Sequence, residues 1–470
     1  MHASCGRNVD DPSKETQDPV VTMMKGRMST RRVFLARSIA AIGATTVAYP
    51  SDHALGTQDK NDRPRVAVVG VGYQPDAGNG KPRRGRGIAI ALQAQKHADL
   101  VAVCDVDGVA RDAVTGWVGK QRPETIADYR RIIDRDDIDA VLIGTPDHWH
   151  VKIAVEALRS GKDVYCEKPV TVTIDEGKLL RKVIDETGQV FQVGTQQRSE
   201  YESRFLTAIA MVRDGRIGKV RRVQCGIGSG RRGGPFATEP VPPKLDWNAW
   251  QGPAPVAKYI QQRCHRTFRF WYEYAGGQIS DWGAHHVDIA QWAIGHEGGG
   301  PVSIRGTADW NQTLDSRGMP SRDDTYSTPV DYSVTAEFDD GIEMVIDSSR
   351  NGITFEGQSG RFFVNRGTLE GIPVDQLADK PIAESSLRSL YGGSLPTTHM
   401  ANFFDCMRTR RQPISDFSSH HRTLTTCHLA NLTLRLDRPI RWDAESERVI
   451  GDDIANQLMT REYRQGFEIQ

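Results

Sequence analysis

Short hydrophobic runs alternate with helix-like stretches in the N-terminal half of the chain. Apolar runs of strand length occur at 66–69, 100–104 and 140–143. Around them, residues 88–95 and 151–160 carry apolar positions at helical spacing. Strands that are apolar on both faces and alternate with helices are typical of a parallel sheet covered by helices on each side. The pattern predicts an α/β domain with a doubly wound parallel sheet over residues 63–194.

The hydrophobic pattern changes after Gly194. Strand-like runs follow one another more closely at 220–227, 332–338 and 342–347. The last two are joined by Asp339-Asp340-Gly341, which predicts a β-hairpin. Residues 420–436 show helical periodicity and are expected to pack across this region. We therefore expect a second domain of the α+β class over residues 195–470.

A basic and then apolar segment precedes the first predicted strand. Arg31 and Arg32 are followed by Val-Phe-Leu and by an apolar stretch of small residues over 36–48, too short to span a membrane. This order resembles a twin-arginine signal, the type that exports proteins already folded with their cofactor. We expect residues 1–62 to be signal and linker, the twin-arginine export machinery to be a partner, and the mature protein to be periplasmic. A disordered basic tail is the alternative.

Charge and cysteine content narrow the function further. Lys plus Arg and Asp plus Glu both number 60, so no net field favours nucleic acid or an anionic membrane, and a small or neutral ligand fits better. No apolar run approaches the roughly 20 residues of a membrane-spanning helix. The seven cysteines are scattered without a CxxC pair. We interpret them as small buried side chains rather than zinc ligands, and one disulfide remains an open alternative.

Glycines directly after the first predicted strand indicate a nucleotide site. Gly70 and Gly72 permit a tight turn and a close approach of backbone N–H groups to a pyrophosphate. The third glycine of such a turn does not follow at once, because residues 73–83 form an insertion. If the insertion loops out, Gly85 or Gly87 opens the next helix and packs it against the turn.

Asp105 follows the strand-like run 100–104. If the insertion is not counted, Asp105 lies about 20 residues after the glycine turn. This is the usual spacing of the acidic residue that binds the adenosine ribose hydroxyls. A carboxylate at this point favours NAD and would repel the 2′-phosphate of NADP. Asp107 is a weaker candidate for the same role, and a strand-end cap is the alternative for Asp105.

Three further motifs follow one another along the chain. They are Thr145-Pro146-Asp147-His148-Trp149-His150, Glu167-Lys168-Pro169 and Asp281-Trp282-Gly283-Ala284-His285. Together they resemble the glucose-fructose oxidoreductase and inositol dehydrogenase family, known as Gfo/Idh/MocA, from about Arg65 to the end of the chain. The resemblance implies a Rossmann domain that binds a nicotinamide cofactor and a C-terminal domain with a large open mixed β-sheet. It also implies a carbohydrate substrate and a homodimer or tetramer.

The chemistry of alcohol oxidation assigns roles to three of these residues. Lys168 is expected at the carboxyl edge of the parallel sheet, where open α/β sheets bind ligands, and can relay a proton at the substrate oxygen. Asp281 and His285 are four residues apart and share a face if both lie on one helix. We expect the carboxylate to orient the imidazole, which acts as the acid/base, with Asp288 as an alternative partner. The predicted catalytic residues are Lys168, Asp281 and His285.

The other candidates are expected to line the cofactor or the substrate. Further cofactor candidates are Thr145, Pro146, His150 and, as the resemblance implies for the ribose, Glu167. The polar and aromatic candidates near the substrate are Gln196, Arg198, Arg266, Arg269, Trp271 and His286. His286 is also compatible with a structural role, and His148 and His150 line the nicotinamide edge or cap the following helix. A metal held by Asp281, His285 and one of these histidines is a rival that no ligand spacing supports, so we expect none.

Several aromatic residues precede the Asp281 motif. They are Trp247, Trp250, Trp271, Tyr272 and Tyr274. Such rings either stack on a sugar or belong to the hydrophobic core.

These assignments predict an NAD(P)-dependent oxidoreductase, with NAD preferred. It would transfer a hydride between nicotinamide and a secondary hydroxyl of a sugar, cyclitol or glycoside. A glycosidase that uses tightly bound NAD for transient oxidation and elimination is the first alternative. A non-catalytic module that binds NAD and sugar is the second, and the retention of Lys168, Asp281 and His285 argues against it.

Overall fold

The computed structural model describes residues 63–75, 80–119 and 122–469. The expected twin-arginine signal, residues 1–62, therefore lies outside the described residues. No helix within the described ranges combines the length and the apolar character needed to cross a membrane.

The first part of the chain builds a parallel sheet of six strands. The strands are β1 (Arg65–Val69), β4 (Asp99–Cys104), β5 (Glu124–Ile126), β6 (Ala140–Ile143), β7 (Asp163–Cys166) and β8 (Phe191–Val193). Their spatial order is β5-β4-β1-β6-β7-β8, and every neighbouring pair is parallel. The predicted doubly wound sheet is confirmed. The chain reverses its direction of travel across the sheet between β1 and β6, which is where such sheets bind ligands.

Helices connect these strands and cover the sheet. They are α1 (Arg86–Ala94), α2 (Gly108–Val114), α3 (Arg130–Ile133), α4 (His150–Arg159) and α5 (Ile174–Thr187). Because both faces of the sheet are covered, all four residues of β6 are buried. The insertion at 73–83 contributes two short antiparallel strands, β2 (Tyr73–Gln74) and β3 (Arg83–Arg84), so it leaves the sheet as a ribbon and returns directly to α1.

A second sheet of nine strands follows. Its strands are β9 (Val220–Gly226), β10 (Ser303–Asp309), β11 (Asp331–Glu337), β12 (Glu343–Asp347), β13 (Gly352–Gly357), β14 (Arg361–Val364), β15 (Leu369–Glu370), β16 (Ile440–Asp443) and β17 (Arg448–Val449). The order is β15-β14-β13-β9-β12-β11-β10-β16-β17, with β9 and β12 parallel and the other pairs antiparallel. The expected mixed sheet and the hairpin between β11 and β12 are both confirmed.

Nine helices accompany this sheet in the described residues. They are α6 (Arg204–Arg213), α7 (Trp247–Gln251), α8 (Gly277–Asp281), α9 (Gly283–Ile294), α10 (Ile372–Asp375), α11 (Glu384–Leu390), α12 (His399–Thr409), α13 (Phe417–Leu436) and α14 (Asp453–Gln457). Burial alternates along β11, so one face of the sheet packs against helices and the other is exposed.

Two late helices return to the first sheet. Met400 and Phe403 of α12 pack in one hydrophobic cluster with Val66 and Val68 of β1. Leu424 of α13 lies in the cluster on the opposite face. The sequence pattern assigned all of 195–470 to the second domain, but residues 399–409 complete the core of the first. This packing ties the two sheets together.

An irregular segment before α7 contacts the backbone that follows Asp105, the residue expected to bind the adenosine ribose. Leu245 forms an isolated antiparallel bridge with Asp107. The N–H of Gly108 donates to the carbonyl oxygen of Lys244 at 2.8 Å, and the N–H of Asp246 donates to that of Val106 at 3.2 Å. We call residues 242–246 the strap, because they bind the backbone that follows Asp105.

The aromatic residues near the strap form a core of their own. Trp247, Trp250, Trp271 and Tyr274 are buried together, and Tyr272 donates its hydroxyl to Asn431. For the four buried rings, the core alternative is the correct one.

All six cysteines within the described residues are buried and free. They are Cys104, Cys166, Cys225, Cys264, Cys406 and Cys427. The interpretation as small buried side chains is confirmed for these six.

Candidate active site

The glycine turn after β1 is closely packed against its neighbours. Gly70 and Gly72 have φ angles of +78° and +63°, which L-residues with side chains rarely adopt. A Cβ on Gly70 would lie 2.5 Å from the amide nitrogen of Thr145. A Cβ on Gly85 would lie 2.5 Å from the Cα of Gly72, and one on Gly87 would collide with the carbonyl oxygen of Gly70. Both Gly85 and Gly87 therefore bring α1 against the turn.

This arrangement fits a dinucleotide. The helix α1 begins at the turn, and the N–H of Ile88 donates to the carbonyl oxygen of Val71 at 3.1 Å. The N–H groups of Arg86 and Gly87 precede it in the first helical turn and can bind a pyrophosphate. On the other side of the crevice, the Thr145 hydroxyl is buried, and nothing in the described parts of the chain hydrogen-bonds to it. A cofactor lying across the crevice would supply the partner that this oxygen needs.

Asp105 is directed toward the glycine turn. Its Oδ2 accepts the N–H of Gly72 at 2.8 Å, and its Oδ1 accepts the N–H of Asp107 at 2.9 Å. Burial raises the pKa of Asp105 to about 6, against the opposing effect of these two N–H donors. Asp107 instead caps α2 through the N–H of Val109. Of the two acids, Asp105 is therefore the one placed at the turn.

Lys168 forms a partly buried ion pair with Asp281. Its Nζ donates to Oδ1 of Asp281 at 2.6 Å. The second carboxylate oxygen of Asp281 lies 3.1 Å from Nε of Arg269. Burial would raise the pKa of Asp281, but Arg269 and Lys168 outweigh it and hold that pKa well below its usual range. Burial lowers the pKa of Lys168, and Asp281 opposes this effect.

The expected hydrogen bond between Asp281 and His285 is wrong. The two residues lie on separate helices, α8 and α9, which meet at Trp282. The N–H of His285 donates to the carbonyl oxygen of Trp282 rather than to that of Asp281. The Asp281 carbonyl is thereby free to accept a second bond from Lys168 Nζ, at 2.8 Å. The helix junction thus directs Asp281 toward the lysine and away from the imidazole.

His285 is a buried, neutral imidazole. Its residue is 4 % exposed, and its Nδ1 finds no hydrogen-bond partner among the described residues. Burial holds the pKa of His285 well below its usual range, and the charges of Lys168 and Arg366 act in the same direction. A neutral imidazole with an unpaired nitrogen can accept a proton.

The histidines of the Thr-Pro motif are engaged by the backbone. His150 places its Nδ1 2.8 Å from the carbonyl oxygen of Pro169 and its Nε2 2.9 Å from that of Thr145. His148 contacts the carbonyl oxygen of Trp250 at 3.0 Å through Nε2. The sequence analysis expected these two histidines to line the nicotinamide edge or to cap the following helix. Neither description is complete, because their ring nitrogens join separate segments of the chain. Both ring nitrogens of His150 are thus engaged, whereas Nδ1 of His148 has no hydrogen-bond partner among the described residues.

Glu167 connects three segments around the site. Its Oε1 lies 2.9 Å from Nε of Arg86, the first residue of α1, and accepts a hydrogen bond from Gln196 Nε2 at 3.0 Å. Gln196 also donates to the Tyr165 hydroxyl at 2.9 Å. The amide of Gln196, expected to face the substrate, therefore holds Glu167 instead.

Three other substrate candidates have structural roles. Arg198 forms a buried two-pronged ion pair with Asp288, with Nε and Nη2 at 2.7 and 2.6 Å from its oxygens. Asp288 is thus the partner of Arg198 and not of His285. Trp271 is fully buried, with Arg263 stacked on its ring. His286 lies between Gln197 and Asn351. The substrate role predicted for Arg198 and Trp271 is wrong because both side chains face the interior, whereas the contacts of His286 agree with the structural role considered for it.

Two arginines remain near the catalytic group. Arg266 is exposed on the short 3₁₀ segment His265–Phe270, and its charge contributes to the low pKa of Asp281. Arg269 lies on the same segment and contacts Asp281 directly. Of the polar residues proposed for the substrate cleft, these two are the ones whose charges act at Asp281.

One residue that the sequence analysis did not single out belongs to this group. Asp147 is 6 % exposed, and burial raises its pKa to about 8. Its position between Pro146 and His148, inside a motif already recognised, was the available signal. An acidic residue in a loop is usually solvated, so sequence alone gave no reason to expect its burial.

Two models of one oxidoreductase family match the chain. The model described as "Oxidoreductase family, NAD-binding Rossmann fold" matches residues 64–195. The model described as "Oxidoreductase family, C-terminal alpha/beta domain" matches residues 231–469, more than half of the chain. The chain belongs to the Gfo/Idh/MocA oxidoreductase family. It is an NAD-binding member that resembles sugar dehydrogenases.

Two curated relatives illustrate the range of the family. An inositol 2-dehydrogenase from Rhizobium meliloti is 28 % identical over 229 residues, which are 49 % of this chain and 56 % of the relative. A glycosyl hydrolase family 109 protein from Shewanella sp. (strain ANA-3) is 30 % identical over 215 residues, 40 % of this chain and 44 % of the relative. The alignments thus span about half of these relatives.

A solved structure agrees with the fold. The WlbA dehydrogenase from Chromobacterium violaceum, in complex with NADH and UDP-GlcNAcA, superposes with a TM-score of 0.57 at 18 % identity. The superposition covers 82 % of this chain and 97 % of that protein. At this identity the likeness concerns the fold.

Proposed function

We propose that this protein is an NAD-dependent oxidoreductase that oxidises a secondary hydroxyl of a sugar, cyclitol or glycoside. The observation that carries the proposal is the Lys168–Asp281 pair at the carboxyl edge of the parallel sheet, beside the neutral His285. NAD supplies the hydride acceptor when it is bound.

The residues divide the work on one substrate oxygen. Lys168 is held by Asp281, which Arg269 contacts in turn, and places a positive charge where the hydroxyl oxygen gains negative charge. His285 takes the hydroxyl proton at Nδ1, because its low pKa keeps it neutral before the reaction. The fixed Lys168 supports the same oxygen, which keeps the hydroxyl aligned.

Asp105 supports NAD over NADP in this proposal. Its carboxylate lies at the glycine turn, where it can accept ribose hydroxyls and would repel a 2′-phosphate.

A net glycosidase reaction is the second candidate. The strap binds Gly108, the first residue of α2, and Lys244 of the strap forms an ion pair with Asp112 of the same helix at 2.6 Å. We infer that this contact between the strap and the loop after Asp105 slows release of the cofactor. Retention suits a cycle in which NAD is reduced and reoxidised within one turnover. The similarity to the glycosyl hydrolase family 109 protein adds support.

One experiment separates the two candidates. The purified protein is stripped of nucleotide and assayed against cyclitols, free sugars and aryl glycosides, with and without added NAD. Stoichiometric NADH formation supports the dehydrogenase. Release of the aglycone by the unstripped protein, without added NAD and without net NADH, supports the glycosidase. If a broad panel yields neither product, both candidates fail.

Export and self-association complete the proposal. We propose that the Arg31-Arg32 segment directs the folded protein to the periplasm through the twin-arginine machinery.

We also propose a homodimer or tetramer formed on the exposed face of the nine-stranded sheet, which presents Arg222, Arg305 and Glu343 to the outside. Sedimentation measurements test the second point, and a monomer at micromolar concentration would contradict it.

A further inference from the structure

Asp147 lies at the carboxyl edge of the parallel sheet. It comes four residues after Ile143, the last residue of β6, and Lys168 comes two residues after Cys166, the last residue of β7. Ile143 and Cys166 are paired neighbours in the parallel ladder. The carboxyl ends of parallel strands meet at one edge, so both side chains belong to the same crevice.

His150 holds the two loops in this position. One of its ring nitrogens bonds to the carbonyl of Thr145, before Asp147, and the other bonds to the carbonyl of Pro169, directly after Lys168. The imidazole therefore links the segment that carries the acid to the segment that carries the lysine.

Two positive charges and one negative charge act on Asp147, and burial outweighs their net effect on its carboxyl. Three groups act on its carboxyl: Arg269 from the 3₁₀ segment, Asp281 from α8, and Lys168. Lys168 and Arg269 are both paired with Asp281. Among the residues that the structure describes, no side chain donates a hydrogen bond to Asp147 or forms an ion pair with it, so Lys168 and Arg269 act on it only through their charges. A buried carboxyl without an ion pair is more stable in its protonated form.

We propose that Asp147 is the proton store of the active site, neutral when the site holds no positive nicotinamide ring and ionised when that ring is present. The inference rests on the proposed function for the identity of the proton donor, an alcohol substrate. A cationic ring in the same crevice favours the carboxylate, because an opposite charge within a few ångströms stabilises the ionised form.

The proton balance of alcohol oxidation then closes within the site. Bound NAD would accept the substrate C–H hydrogen as hydride, which would remove the positive charge of the nicotinamide ring. The O–H proton would end on the Asp147 carboxylate, because the loss of the ring charge that favoured ionisation raises the affinity of this carboxylate for a proton. The carbon is oxidised, the nicotinamide is reduced, and one proton is stored on Asp147. Reduction of a carbonyl reverses each transfer.

Calorimetry with the cofactor alone tests this proposal. The full chain, stripped of nucleotide, is titrated with NAD⁺ and with NADH at pH 7 in buffers that differ in ionisation enthalpy. We expect binding of NAD⁺ to release about one proton per site and binding of NADH to release almost none, because only the ring charge differs between them. Both ligands carry the same pyrophosphate and riboses, so the difference isolates the ring.

Three variants assign the released proton. Asp147→Asn should bind both ligands and lose the difference between them, whereas Asp147→Glu should retain it. Asp185→Asn, which removes an exposed carboxyl of α5, is the matched control and should behave as the wild type. Equal release with both ligands, or unchanged release in Asp147→Asn, would overturn the proposal.

Thermal unfolding without cofactor provides a second readout. The folded pKa of about 8 lies above the unfolded value, so the stabilising effect of the protonated Asp147 is lost as pH rises toward and through 8. Asp147→Asn should therefore gain in melting temperature relative to the wild type between pH 5 and pH 9. A difference that stays constant with pH would contradict a stored proton. If these results hold and no alcohol is oxidised, the proton store stands and the proposed reaction fails.

Discussion

The Nζ atom of Lys168 donates two hydrogen bonds to Asp281, one to its carboxylate at 2.6 Å and one to its main-chain carbonyl at 2.8 Å. The second bond exists because α8 ends at Asp281 and α9 begins at Gly283, which leaves that carbonyl outside the helical ladder. A side chain from the NAD-binding sheet is thus positioned by a helix junction in the second half of the chain. This relationship determines which residues can act on the substrate and leads to the first two predictions.

Truncation of Lys168 or His285, the residues proposed to act on the reacting oxygen, should reduce turnover without preventing folding. Lys168→Ala and His285→Ala should remain folded and bind NAD, while turnover falls roughly a hundredfold to ten-thousandfold, as for the loss of a general acid/base. Because both act on one oxygen, the double variant should be little slower than the slower single variant. Steady-state rates and NAD affinity, measured on the same preparations, check this.

His286→Ala is the internal control for the histidine. It removes the adjacent buried imidazole, whose nitrogens contact Gln197 and Asn351. We expect lower stability and retained turnover in the folded protein. If His286→Ala abolished turnover and His285→Ala did not, the acid/base would be the other histidine.

Replacing Asp281 should move the pH profile toward lower pH. Asp281 opposes the effect of burial on the pKa of Lys168, so in Asp281→Asn that pKa should fall further and the lysine should lose its proton earlier as pH rises. The basic limb of kcat/KM should therefore shift to lower pH. Asp309→Asn, which removes one partner of the exposed Arg232–Asp309 pair, serves as the control. An unshifted limb in Asp281→Asn would show that another group produces it.

Asp105 should determine cofactor preference. Asp105→Ala is expected to weaken NAD binding and to narrow the preference over NADP, because the charge that repels the 2′-phosphate is lost. Asp107→Ala removes a helix cap and should cost about 0.5–2 kcal/mol of unfolding free energy while leaving the NAD/NADP ratio unchanged. Fluorescence titrations with both cofactors measure the ratio. Tighter binding of NADP by the wild type would refute the role of Asp105.

Arg198 should matter for stability and not for substrate recognition. Arg198→Ala leaves Asp288 buried and unpaired, and should lower the free energy of unfolding by about 3–5 kcal/mol. Chemical denaturation measures this loss, and KM of the remaining folded protein should change little. Substituting both partners by apolar residues, as in Arg198→Met with Asp288→Leu, should restore part of the stability. A large rise in KM with unchanged stability would return Arg198 to the substrate site.

Export should depend on the arginine pair. Arg31→Lys combined with Arg32→Lys is expected to leave folded protein in the cytoplasm, because the twin-arginine pathway reads both guanidinium groups. Arg27→Lys, four residues upstream of the pair, should export normally. Cell fractionation measures the distribution, and normal export of the double variant would refute the twin-arginine interpretation.

The sequence by itself determined the strands and helices, and it identified the functional residues that belong to short motifs. The strand and helix periods predicted both sheets, and Gly70, Gly72 and Asp105 marked the nucleotide turn, because turn geometry needs particular residues at short spacing. Lys168, Asp281 and His285 were found through motifs whose members lie close together in the chain.

Only the tertiary structure decided which of these side chains meet. The spacing of four residues predicts that Asp281 and His285 share a helical face, but the junction at Trp282 places them on two helices, so they do not pair. Arg198 and Asp288 are 90 positions apart, as are many partners in the core, so their pairing leaves no local pattern. Two of the charges that act on Asp147, those of Arg269 and Asp281, come from a distant segment of the chain. Burial and charge pairing are properties of residues distant in sequence, and periodicity along the chain does not contain them.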